Sequence, residues 1–185
     1  CTACAECVQV CPEDRPNTFN YGMNTTKAIY LSHEMALPMK YVIDEGSCLG
    51  YTCNKCVEVC PTDAIDLNMQ PSTVTIRVAS IIVATGWKPY DASLIDNLGF
   101  GRYPNVINNV MMERLAAANG PTGGKIVRPS DGRPAKRVAF VQCAGSRDIN
   151  HLPYCSAICC LSSLKEATYV RDQYPDSEVF IFYID

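Results

Sequence analysis

Two cysteine runs constrain the fold of this chain more than any other feature. Residues 1–12 read C-x2-C-x2-C-x3-C-P, and residues 48–61 repeat the pattern with an x4 gap after Cys48. Three thiolates at x2 spacing can wrap one corner of a [4Fe–4S] cluster, while the fourth points toward a second cluster. The proline after each last cysteine ends the ligand segment. The two runs therefore predict a pair of [4Fe–4S] clusters.

The spacing also predicts how the cysteines divide between these clusters. In two-cluster ferredoxins, the last cysteine of each run binds the cluster of the other run. One predicted set is Cys1, Cys4, Cys7 and Cys60, and the other is Cys11, Cys48, Cys53 and Cys56. Structural zinc also uses paired C-x2-C, although such sites rarely carry a C-x3-C-P tail on each half. A disulfide framework is a second alternative, but neighbours in C-x2-C runs make poor structural bridges.

Composition narrows the class of protein. The 185 residues allow one domain or two, and a hydrophobic content of 48% is ample for a globular core. The net charge of −3 argues against a nucleic-acid partner. Dense cysteine without a signal peptide indicates a reducing compartment and metal. No apolar run approaches the roughly 18 residues typical of a membrane span, so we expect any membrane link to run through a partner.

The pattern of the chain predicts two domains and an incomplete protein. Residue 1 is a predicted cluster ligand instead of an initiator methionine, and the last residues read as a buried strand with nothing after it. We therefore expect an internal segment of a larger chain. A shift in composition near residue 70 separates a ferredoxin-like domain, residues 1–70, from an α/β domain, residues 71–185. The insertion between the cysteine runs predicts short strands at 28–31 and 39–44, with His33 in a structural role.

The second domain shows strand and helix patterns in alternation. Residues 73–78 alternate with period two, which predicts a half-buried strand, and 80–84 form an apolar run suited to a buried parallel strand. Asn108 can cap a helix that ends at Asn-Gly-Pro. A strand at 137–142, a helix at 156–173 and a strand at 178–184 form a β-α-β unit, which implies a parallel pair. Gly123-Gly124-Lys125 lacks the frame of a phosphate loop and is interpreted as a surface linker.

Four of the twelve cysteines remain after the two runs are assigned. They are Cys143, Cys155, Cys159 and Cys160, all in or beside the β-α turn, where a Rossmann unit would carry phosphate-binding glycines. Four is the ligand count of one more [4Fe–4S] cluster. Adjacent cysteines on a helix diverge by about 100°, so the set requires a kink or a cluster at the helix N-terminus, where the dipole favours anions. A redox disulfide, a thiolate nucleophile and buried structural thiols are the alternatives.

The order of these motifs resembles one family along essentially the whole chain. The cysteine runs are followed by I-I-V-A-T-G at 81–86, G-P-T-G-G-K-I-V-R-P-S-D-G at 120–132, V-Q-C-A-G-S-R-D at 141–148 and Y-C-S-A-I-C-C at 154–160. This resembles the flavoprotein A subunits of heterodisulfide reductase. It is also similar to the related subunits of the quinone-interacting membrane-bound oxidoreductase of sulfate reducers, a branch that the Asn17-to-Asp44 insertion favours. The x4 gap after Cys48 departs from the family pattern.

The resemblance implies a fold and a set of cofactors. It implies a thioredoxin-reductase-like, Rossmann-type flavoprotein with an inserted two-cluster ferredoxin domain, of which this chain holds one part. It also implies a third [4Fe–4S] cluster on Cys143, Cys155, Cys159 and Cys160, and FAD beside the Ala84-Thr85-Gly86 turn. The FAD pyrophosphate fingerprint is absent from these residues and would lie upstream.

The resemblance also implies a role. The chain is expected to be a cytoplasmic oxidoreductase segment of anaerobic metabolism that passes electrons between flavin, clusters and partner subunits, and reaches the inner membrane face through those partners. No Ser-His-Asp set, paired carboxylates or open metal site is evident, so no catalytic residue is assigned. The rival functions are a ferredoxin-type electron wire without flavin and a zinc-stabilised scaffold.

Overall fold

The computed structural model describes residues 1–184 and separates into two compact units. The first unit comprises Cys1–Thr85 and the second begins at Gly86. The sequence places the boundary near residue 70, whereas the structure places it after Thr85. The extended stretch between these two positions accounts for the difference.

The first unit is built on two short helices, one in each cysteine run. Helix α1 spans Glu6–Val10 and helix α2 spans Lys55–Glu58, and the two pack against each other. Each begins after a residue in the left-handed region, Ala5 at φ 66° and Asn54 at φ 51°. The chain therefore turns sharply between the early cysteines of each run and the helix that carries the third.

The insertion between the runs folds into two small antiparallel ladders. Strand β1 (Asp14–Pro16) pairs with β2 (Thr25–Lys27), and β3 (Ile29–Tyr30) pairs with β4 (Val42–Ile43). The strands predicted at 28–31 and 39–44 are confirmed in shorter form as β3 and β4. The ring of His33 stacks on Phe19 with centroids 5.0 Å apart, a packing contact that agrees with its predicted structural role.

The predicted strands at 73–78 and 80–84 are not formed in this structure. Residues 71–85 have no regular secondary structure, and the apolar side chains of this stretch are exposed, Ile76 at 74% and Ile82 at 89%. A β-strand needs a hydrogen-bonded neighbour, and none of the named strands among residues 1–184 pairs with this stretch. The apolar pattern of this stretch is typical of β-strands, but the described residues offer it no paired neighbour.

The second unit contains the predicted β-α-β arrangement. Helix α3 (Asn109–Ala116) is followed by β5 (Arg137–Val141), α4 (Cys159–Gln173) and β6 (Glu178–Phe182). Strands β5 and β6 pair in parallel, with register from Arg137↔Glu178 to Val141↔Phe182. The predicted parallel pair is therefore confirmed. The described residues hold one such pair and not a complete Rossmann sheet, so that part of the expected fold is not shown by this chain.

A small core holds α3 and α4 against this sheet. Met112, Ile126 and Val170 are buried together, and partly buried side chains from both strands pack on them: Val138, Phe140 and Val179. The side chain of Asn108 accepts a hydrogen bond of 2.9 Å from the Met111 amide and so caps α3, as predicted. None of the helices within residues 1–184 is long and apolar enough to cross a bilayer.

The glycine-rich segment before β5 is fixed to α4 by one side chain. Gln173 accepts a hydrogen bond of 2.9 Å from the Ile126 amide and donates one of 2.7 Å to the carbonyl of Gly124. The backbone of this segment is therefore bonded within the unit, in keeping with its interpretation as a linker.

Candidate metal centres

One cavity of the first unit brings together four cysteines from both runs. Cys11 follows α1, Cys48 precedes a short 3₁₀ turn, and Cys56 lies in α2. The cavity is lined by the full predicted set, Cys11, Cys48, Cys53 and Cys56, together with apolar side chains that include Ile29, Ile43 and Leu67. Helix packing of α1 on α2 is what carries Cys11 across to the second run.

The pKa shift of Cys56 indicates the same grouping of cysteines. Burial raises the pKa of Cys56, and the neighbouring thiol charges of Cys48 and Cys11 raise it further. The Gly50 amide donates a hydrogen bond of 3.4 Å to the sulfur of Cys48. Thiols that oppose one another's ionisation are suited to a cationic iron core, which would offset their repulsion. The donor set therefore fits an iron–sulfur cluster.

A second cavity is lined by the other predicted set. Cys1, Cys4, Cys7 and Cys60 line it, and Cys48 of the other predicted set lines it as well. Burial raises the pKa of Cys7, with smaller contributions from the charges of Cys4 and Cys56. Cys60 has the opposite surroundings, because the Ala64 amide donates to its sulfur at 3.3 Å and lowers its pKa. Hydrogen bonding to its sulfur therefore stabilises the thiolate form of Cys60 relative to an unbonded thiol.

The third group lies in the second unit, at the β-α turn. Cys143 follows β5 in the left-handed region, φ 58°, and Cys159 and Cys160 are the first two residues of α4. Partial loss of hydration raises the pKa of Cys160, and the charges of Cys159, Cys143 and Cys155 raise it further. The structure therefore brings all four cysteines within electrostatic reach at a helix N-terminus, one of the two arrangements that the adjacent pair requires.

All twelve cysteines are free thiols. Within residues 1–184, no three His, Cys, Asp or Glu side chains converge as they would around a single metal ion. A four-iron cluster takes one thiolate per iron, so its ligands stand further apart than those of one ion. Each ligand assignment stays a prediction at the level of individual residues.

The predicted flavin-binding turn has no site around it in this structure. Ala84, Thr85 and Gly86 lie in the exposed irregular stretch, and a Cβ at Gly86 would meet no atom within 4 Å. Gly86 has φ +71°, a conformation that glycine adopts without strain. FAD binding at this turn stays a prediction.

Sequence reasoning missed two residues beside the third cysteine group. The hydroxyl of Tyr90 lies 2.5 Å from Nδ1 of His151, which is in the loop between Cys143 and Cys155. The two residues are 61 positions apart. No local periodicity or motif spacing links them, and only Gly145, shortly after Cys143, hints that another group approaches this turn closely.

Comparison with known proteins agrees with the cysteine geometry. Residues 1–64 match the 4Fe-4S dicluster domain family. The first unit therefore contains an iron–sulfur domain of the dicluster ferredoxin type.

Curated proteins resemble this chain along its whole length. The chain is 43% identical over 186 residues to the A subunit of the H2:CoB-CoM heterodisulfide, ferredoxin reductase of Methanothermobacter thermautotrophicus. It is 45% identical to the second iron-sulfur A subunit of the CoB–CoM heterodisulfide reductase of Methanopyrus kandleri, and 42% identical to the A subunit of the ferredoxin/F420H2-dependent CoB-CoM heterodisulfide reductase of Methanosarcina acetivorans. All of this chain is covered in each case, but only 28%, 28% and 23% of the respective relatives. Along its whole length the chain is similar to heterodisulfide reductase A subunits, and it spans about a quarter of the length of these relatives.

The named relatives are heterodisulfide reductase A subunits, and they do not test whether this chain comes from the branch of sulfate reducers. They are subunits of a multisubunit oxidoreductase, which implies that other subunits exist for proteins of this family. The assignment to the branch of sulfate reducers stays a prediction.

Proposed function

We propose that this chain is the electron-transfer segment of an FAD- and iron–sulfur-containing subunit of the heterodisulfide reductase A type. Three [4Fe–4S] clusters carry electrons between the flavin and partner subunits. The observation that supports the proposal is the spatial grouping of the cysteines. One cavity is lined by Cys11, Cys48, Cys53 and Cys56, and a second by Cys1, Cys4, Cys7 and Cys60 together with Cys48. In the second unit, the charges of Cys159, Cys143 and Cys155 act on Cys160.

The two clusters of the first unit use crossed ligation. Cys1, Cys4, Cys7 and Cys60 hold one cluster, and Cys11, Cys48, Cys53 and Cys56 hold the other. The lining of the two cavities supports this division. Cys48, Ile29 and Ile43 line both cavities, which supports a short path between the two centres. When bound, the clusters supply one-electron transfer. The protein contributes ligation, burial and hydrogen bonds.

Backbone amides adjust the charge on individual sulfurs. The amides of Gly50, Ala64 and Ala157 donate to the sulfurs of Cys48, Cys60 and Cys155 at 3.4, 3.3 and 3.3 Å. Such hydrogen bonds stabilise negative charge on a ligand and therefore favour the reduced state of a cluster. At least one cysteine in each of the three groups receives such a bond.

The flavin part of the proposal rests on the stretch at 71–86. It has the pattern of sheet strands, yet its apolar side chains are exposed here, which supports a sheet completed by other parts of a longer protein. In α/β sheets, ligands sit beyond the carboxyl ends of strands, where Ala84, Thr85 and Gly86 stand. Cytoplasmic location and the partner subunits belong to the same proposal.

The cofactor content of the intact protein, purified without oxygen, tests this function. The expected result is at least twelve irons, an equal amount of acid-labile sulfide and bound FAD in each polypeptide, since the chain spans only part of the length of its relatives. Iron at this level without flavin would support the electron wire instead. A colourless, zinc-containing protein would support the scaffold and overturn the proposal.

A further inference from the structure

Tyr90 and His151 form a hydrogen-bonded pair beside the third cysteine group. The hydroxyl lies 2.5 Å from Nδ1 of the imidazole, and the rings meet edge to face, 86° apart, with centroids separated by 5.8 Å. Both side chains are half-buried in the second unit. Nothing in the proposed ligation or in the family match gives this pair a task.

His151 belongs to a loop whose two limbs carry two of the cysteines. Residues 143–148 leave Cys143 and residues 150–155 lead to Cys155. The limbs are joined by backbone hydrogen bonds, from the Leu152 amide to the Gly145 carbonyl at 3.1 Å and from the Arg147 amide to the Tyr154 carbonyl at 3.1 Å. The separation of Cys143 and Cys155 therefore depends on how these limbs pair.

Tyr90 contacts both limbs from outside the loop. Its hydroxyl bonds to His151 on the second limb, and its ring lies against Gly145 on the first. A Cβ at Gly145 would overlap the tyrosine ring, and the glycine has φ +80°, which side-chain-bearing residues rarely adopt. Gly145 is thus needed for both its backbone conformation and the close approach of Tyr90.

We infer that Tyr90 is a positioning residue for the third cysteine group. By bonding to His151 and packing on Gly145, it holds the two limbs of the loop together and sets where Cys143 and Cys155 stand. The inference rests on the proposed third cluster. Hydrogen bonding and solvent exposure at the ligand sulfurs set the potential of a cluster, and the Ala157 amide donates to Cys155 at the end of this loop. Loss of the hydrogen bond between Tyr90 and His151 therefore shifts the reduction potential of the third cluster.

The test is a redox titration followed by electron paramagnetic resonance on the full-length protein, loaded with its clusters under anaerobic conditions. Tyr90→Phe and His151→Phe each remove the hydrogen bond. His151→Asn places an amide oxygen near the position of Nδ1 and restores an acceptor for the Tyr90 hydroxyl. Tyr103→Phe is the matched control, because Tyr103 also packs its ring over a glycine, Gly99, but lies outside the cysteine loop. The two ferredoxin-type clusters are the internal reference.

The expected result is specific to one centre. In Tyr90→Phe and His151→Phe, the ratio of oxidised to reduced third cluster at fixed potential changes at least threefold, about 28 mV for a one-electron couple. His151→Asn and Tyr103→Phe keep the wild-type ratio. A merely structural contact would leave this ratio unchanged in every variant that retains its iron, and that result overturns the inference.

Two further outcomes separate this inference from the proposal beneath it. If Cys159→Ser removes neither iron nor a cluster signal from the full-length protein, the third centre is overturned, and the positioning role with it. If Tyr90→Phe loses all three clusters, the variant is misfolded. The test is then the comparison of the third-cluster potential in His151→Phe with that in His151→Asn. Equal potentials in that pair contradict the role of the hydrogen bond.

Discussion

The thiol of Cys56, in α2, lies close enough to Cys11, at the end of the first run, for the charge of one to oppose ionisation of the other. This relationship crosses between the two cysteine runs. It leads to a prediction about which centre each substitution disturbs. Cys11→Ser should alter the same cluster signal as Cys56→Ser, because both thiols would bind one cluster.

The matched comparison is Cys4→Ser against Cys60→Ser. These two cysteines line the other cavity and should share the other signal. Electron paramagnetic resonance of the reduced, intact variants distinguishes the two centres. If Cys11→Ser instead disturbed the same signal as Cys4→Ser, ligation would follow the runs and the crossed arrangement would be wrong.

Glu166 predicts a pH-dependent stability of the second unit. Its side chain is buried with 1% exposure on α4, one carboxyl oxygen has no hydrogen-bond partner, and Glu113 and Lys165 are the charged groups that act on it. Burial, followed by the charge of Glu113, raises its pKa to about 8, while Lys165 opposes the shift. The folded state therefore holds a proton that the unfolded state releases above about pH 4.5.

The sign of the effect follows from this difference. Stability is fully present below the unfolded pKa and falls as pH rises toward 8, with a slope of up to about 1.4 kcal/mol per pH unit. Glu166→Gln should flatten the slope between about pH 5 and 8 in denaturant titrations. Asp176→Asn, at an exposed position in the same unit, should leave it as in wild type. A wild-type stability that rises over this range would contradict a protonated Glu166.

The flavin assignment predicts a selective effect at Gly86. Gly86 has φ +71° and open space around it, so Gly86→Val strains the turn without a direct clash. If this turn lies beside FAD in the intact protein, the variant should lose flavin and keep its iron. Gly132→Val is a close control, since Gly132 has φ +68° and equally open surroundings. Equal flavin content in both variants, measured from absorbance after release, would place FAD elsewhere.

The sequence was sufficient where chemistry depends on local spacing. The cysteine runs, the cap at Asn108 and the alternation of β5, α4 and β6 all rest on neighbours along the chain, and the structure has them where the pattern predicts. The strands predicted at 73–78 and 80–84 are not formed, for a different reason. The sequence pattern indicates which side chains would be buried in a sheet, but a strand also needs a hydrogen-bonded neighbour. No named strand among the described residues pairs with this stretch. The hydrogen bond between Tyr90 and His151 could not be predicted, because only the folded chain brings these residues together.

The iron content of one variant decides whether the four cysteines of the second unit bind a third cluster. Cys159 is the first residue of α4, and it acts on Cys160 together with Cys143 and Cys155. In the intact protein, purified without oxygen, Cys159→Ser should lower iron and acid-labile sulfide by about four each per polypeptide and leave both ferredoxin-type signals intact. Unchanged iron in this variant, or a disulfide among the four cysteines of the anaerobic protein, would contradict the account.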